Sequence, residues 1–115
     1  MTSPMFRESP NGYPIVELPA PFEPFAEFLC AAHSTASANK ILEAASSVIS
    51  GTRTQVTIAQ DYATLTLDLA SNAACVATDN LAQNQLQQAK MSLEDFRRVV
   101  SEWLSYLQIR SENHM

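Results

Sequence analysis

Leu93, Phe96, Val99, Val100, Trp103, Leu104 and Leu107 fall at i, i+3, i+6, i+7, i+10, i+11 and i+14, a spacing that an α-helix gathers onto one apolar face and a strand scatters over two. A chain carrying this stripe must present a long C-terminal helix to a core. The start of that helix is specified three times over. Ser92 is placed to accept from the Asp95 N–H while Asp95 reaches back, Met91 is placed to staple onto Phe96, and Glu94 and Asp95 lie at the positive end of the macrodipole.

The rest of the chain must supply the surface this helix covers. Tyr13 to Leu18 reads as a short strand after the Asn11-Gly12 turn, with Pro14 restricted to an edge or to the strand's start because it lacks a ladder donor. Pro24 suits the first turn of a helix, and Phe25, Phe28, Leu29 and Ala32 follow at helical spacing. A second helix carries Ile41, Leu42, Ala45, Val48 and Ile49, with Ser37 as its expected N-cap and Gly51 as its left-handed stop. From Arg53 the period shifts from about 3.6 to 2. Thr54 to Ile58 alternates, and Ala63, Leu65, Leu67 and Leu69 then point one way while Thr64, Thr66 and Asp68 point the other. Ser71-Asn72 turns the chain into a third strand, Ala74 to Thr78. The Gln/Asn-rich stretch that follows, up to Lys90, reads as loop or loose helix.

The expected fold is α+β, in the order β-α-α-β-β-β-α. An antiparallel sheet, made of the N-terminal strand and a three-stranded meander, is packed by two central helices and the long C-terminal one. Residues 1–11 read as an N-terminal arm, 12–108 as a single domain and 109–115 as a tail. With 115 residues, 46% of them hydrophobic and 17% charged, the chain can bury a core without staples.

Composition narrows function mainly by exclusion. Twelve acidic against seven basic residues give a net charge of -5, which repels phosphate backbones and attracts basic proteins. His33 and His114 stand at no ligand spacing from a cysteine or carboxylate, and the two glycines cannot build a phosphate-cradling loop. No catalytic residue, metal site or cofactor is therefore expected, and the chain reads as a binding protein rather than an enzyme. Cys30 and Cys75 lie among small or apolar neighbours and are expected to be buried free thiols. The absence of a leader-like start and of a run near 20 apolar residues implies a cytoplasmic protein that does not cross a membrane. Trp103 lies on the stripe and belongs to the core, whereas Tyr62 and Tyr106 are candidates to face a partner.

Four stretches carry a family resemblance. These are Phe6-Arg7-Glu8 with Gly12 and Val16; Ala63 to Asp68; Val76 to Leu81; and Glu94-Asp95-Phe96 with Val99-Val100, Trp103 and Leu107. In order and spacing they resemble the YacL-like small bacterial proteins and the immunity proteins of contact-dependent growth inhibition. The resemblance implies an antidote that forms a 1:1 complex with a basic toxin domain, commonly a nuclease acting on transfer RNA, by covering its substrate groove. Exposure and charge then single out Asp61, Tyr62, Asp68 and Asp79, on the turns and wet face of the meander, as the toxin-binding residues. The alternative is a small acidic secretion chaperone or adaptor, whose meander would pair across a two-fold axis as a homodimer.

Overall fold

The computed structural model describes residues 4–60, 63–80 and 85–113, with the side chains at 79, 80, 85–87, 112 and 113 left out. The α+β class and the expected order hold, with two further strands. The elements are β1 (Met5–Glu8), β2 (Pro14–Glu17), α1 (Glu23–Ala31), α2 (Thr35–Ile49), β3 (Gln55–Gln60), β4 (Ala63–Asp68), β5 (Ala73–Asn80), β6 (Gln85–Ser92) and α3 (Leu93–Asn113).

Strands β3, β4, β5 and β6 pair consecutively and antiparallel in a four-stranded sheet. Its inner face is built by alternation. Val56 pairs with Leu67, Leu67 with Ala74 and Ala74 with Met91, while Ile58 pairs with Leu65, Leu65 with Val76 and Val76 with Ala89. All three helices pack on this side: α1 against β4, β5 and β6, α2 against β3 and β4, and α3 against β5 and β6. The Gln-rich segment that reads as loop or helix supplies β6 from Gln85 onward. Gln88 and Lys90 are exposed while Ala89 and Met91 turn inward, a two-residue period diluted by glutamine, and β5 offers an open edge on which to form it.

The N-terminal strand does not extend the meander. It pairs instead with β1, inside the stretch read as an arm, in a two-stranded sheet where Phe6 faces Val16 and Glu8 faces Pro14. Pro14 begins β2, where a missing N–H is tolerated. Gly12, at φ +85°, makes the turn between the two strands. Phe6 docks this hairpin on α3, its ring 5.3 Å from Tyr106 and 5.9 Å from Trp103 between centroids. Arg110 secures the far end, its Nε donating to Glu8 at 2.9 Å and its Nη2 to the Gly12 carbonyl. The helix therefore continues past residue 108 through Asn113, because its last turns hold the hairpin.

Phe25, Phe28, Leu29, Leu65, Leu67, Phe96, Val99, Val100 and Trp103 all belong to one buried core. Phe25 and Phe96 meet at 5.7 Å between ring centroids. Trp103 has no exposed surface, and its indole N–H donates to the Ala32 carbonyl at 3.0 Å. That bond satisfies a buried polar atom and fixes the junction of α1 and α2 to α3. The Ser92 hydroxyl accepts from the Asp95 N–H at 3.1 Å, as the sequence predicts. At α2 the cap is Ser34 rather than Ser37. Ser34 is extended, and its hydroxyl accepts from the Ser37 N–H at 3.1 Å, so the helix begins one turn earlier than expected.

Candidate functional site

With every helix on the inner side, no described element lies over the outer face of the four-stranded sheet. The strand register arranges its residues in rows. Thr57, Thr66, Cys75 and Lys90 stand side by side across the sheet, and Ala59, Thr64, Ala77 and Gln88 form the next row. Thr64, Cys75, Gln88 and Lys90 are exposed. A shallow depression is lined by Thr64, Thr66, Cys75, Ala77, Gln88 and Lys90. Its β4 and β5 sides are short side chains and its β6 side is long ones, so the face is a trough with one raised wall.

Charge is sparse here. Among the described side chains of the strands, Asp68 and Lys90 are the acid and base of this face. Asp68 ends β4, half-buried, and its carboxylate accepts from the Ser71 hydroxyl at 3.0 Å, a bond that ties the carboxylate into the turn before β5.

The four residues singled out from sequence do not form one cluster. Asp68 pairs with Ala73 at one end of the sheet, while Ala63 pairs with Thr78 at the other. Asp79 follows Thr78 in β5, opposite Leu86, and its side chain lies outside the described part. Six residues of strand separate the Asp68 row from Asp79, about 20 Å at ordinary strand rise. Asp61 and Tyr62 lie outside the described residues. Tyr106 is half-buried and stacked beside Phe6 and Trp103, so it serves the hairpin's docking rather than a partner.

The two thiols differ. Cys30 is half-buried, its Sγ 3.6 Å from the Val16 carbonyl, and burial pushes its pKa up. Cys75 is exposed rather than buried, because alternation in β5 sends Ala74 and Val76 inward and places position 75 between them on the outer face. Sequence reasoning took its apolar neighbours as a sign of burial, although in a strand they argue the opposite. The trough was missed for a different reason, since its raised wall is β6, which the sequence did not announce as a strand.

Among the described residues no group of three His, Cys, Asp or Glu is placed to hold a metal ion, and no helix is long and apolar enough to cross a membrane. Comparison with family models, with curated proteins and with solved structures gave no match.

Proposed function

We propose that this chain is a cytoplasmic immunity protein that binds a basic toxin domain, an RNA- or tRNA-cleaving nuclease, with the open face of its four-stranded sheet. The observation that carries the reading is that all three helices pack on one side of that sheet, leaving on the other a trough floored by small side chains of β4 and β5. Small side chains lose little conformational entropy when a partner lies on them and let backbones approach closely. The net charge of -5 supports the reading. A nuclease needs a positive groove for its substrate, and an acidic antidote is steered into that groove and excludes the RNA from it.

Co-expression with a basic toxin domain sought in the gene neighbouring this chain's tests the proposal. The wild type should protect the cell. Replacing Asp61, Asp68 and Asp79 together by Lys should abolish protection, with the fold verified by circular dichroism. Glu94→Lys is the control, because Glu94 lies in the first turn of α3, paired with Arg97 at 2.8 Å on the helical side, and should keep protection. Full protection by the triple variant would remove the proposed face. No binding to the neighbouring toxin domain in calorimetry would remove the antidote reading itself.

A further inference from the structure

The outer sheet face is complementary to itself, and we infer that it holds a second copy of this chain when no other partner is bound. Consider a two-fold axis running parallel to the strands over β5. It lays β6 of each copy over β4 of the other, the aligned arrangement in which two sheets commonly pack. Because Lys90, Cys75 and Thr66 share one row and Gln88, Ala77 and Thr64 the next, the long side chains of β6 then enter the other copy's trough above Thr66 and Thr64. The wall of one trough fills the hollow of the other, and the reciprocity is what an isologous contact requires.

Charge supports the same pairing. Asp68 lies two residues along β4 from Thr66, about 7 Å of strand, within the reach of a Lys90 ammonium seated over Thr66. Among the described side chains, the acid and the base of the face thus neutralise one another twice about the axis. A foreign surface would have to supply both complements, whereas a second copy brings them by symmetry.

Three strands from each copy overlap in this arrangement, a footprint of about 15 by 20 Å at ordinary strand spacing and rise. That is well below the ~800 Å² per partner of a standard stable interface. The pair is accordingly weak, and a tighter-binding partner can displace it.

Cys75 sits beneath the axis and reports the contact. Two packed sheets stand about 10 Å apart between backbones, beyond the Cα separation a disulfide spans but within reach of a short, flexible bis-maleimide. The purified chain alone should cross-link through Cys75 into a dimer, lose that product as Cys75→Ser and keep it as Cys30→Ser. Sedimentation velocity from about 5 μM to about 1 mM, bracketing the weak regime, should shift from monomer to dimer. Lys90→Glu and Asp68→Lys should each abolish the shift, and the double variant, with the charges exchanged, should restore it. Monomer throughout without a Cys75-dependent product overturns the inference. So does a dimer indifferent to Lys90→Glu, or single reversals that the double exchange fails to rescue. No toxin enters these measurements, so they stand or fall separately from the antidote reading.

Discussion

The two faces of the four-stranded sheet are built by the same strands from alternate residues, yet they meet opposite fates. Inward, Leu65, Leu67, Ala74 and Val76 are almost fully buried beneath three helices. Outward, Thr64, Thr66, Cys75 and Ala77 belong to the same ladders with no described element laid on them. These inner residues of β4 and β5 are apolar, and these outer ones are short, the long side chains of the trough standing on β6. A solvated sheet face ordinarily carries long charged side chains, which discourage other chains from docking. Over β4 and β5 the trough is Thr, Ala and Cys and omits that protection, and the proposed contact rests on this omission.

The largest expected effect lies at the centre of the inner side. Trp103→Ala removes the largest fully buried side chain and orphans the Ala32 carbonyl it satisfies, so it should cost about 3–5 kcal/mol, measured by urea denaturation. A midpoint that hardly moves would show that α3 does not carry the core. The next test sets the faces against each other at adjacent positions of one strand. Leu65→Ala should cost about 2–5 kcal/mol, whereas Thr64→Ala should stay within about 0.5 kcal/mol. Equal losses would mean that something covers the outer face of the isolated chain.

The inner half of this contrast was readable in the residues and the outer half was not, for a physical reason. The α3 stripe, the Ala63 to Asp68 alternation and the Ser92 cap announce themselves locally, through periods of 3.6 and 2 and through a short-range hydrogen bond. Strand β6 does not, because glutamine suits loop, helix or exposed strand alike, and pairing with β5 decided among them. The same holds for β1, whose Met5–Glu8 segment has too little pattern to outweigh Pro4 and Pro10 until Phe6 finds Trp103 and Tyr106. Of the candidate site, Asp68 on the wet face was legible from alternation. The trough was not, because one of its walls belongs to the unrecognised strand.

A smaller effect tests how that misreading arose at α2. Ser34 and Ser37 are three residues apart and hydrogen-bond each other through their hydroxyls at 2.8 Å, but it is Ser34 that accepts from a helical N–H. Ser34→Ala should therefore cost about 1 kcal/mol, and Ser37→Ala only a few tenths in thermal denaturation. The reverse order would restore the later helix start.

The smallest effect separates the two thiols and returns to the contrast of faces. Cys30 belongs to the inner side, where burial raises its pKa, and Cys75 stands on the open face. Alkylation requires both access and a thiolate, so iodoacetamide at mildly alkaline pH should modify Cys75 first and reach Cys30 at a substantially lower rate, as read by mass spectrometry. The raised pKa also sets a sign. The folded chain holds the Cys30 proton more tightly than the unfolded chain does, so its contribution to stability is complete below the ordinary thiol pKa. As pH climbs past that value the unfolded thiol ionises first, and stability falls until the folded thiol has titrated as well. Cys30→Ala should flatten this alkaline decline, as followed by urea denaturation across a pH series. Equal labelling of the two thiols in the native protein would show that β5 does not present position 75 outward, and would remove the trough on which both the partner and the second copy are proposed to dock.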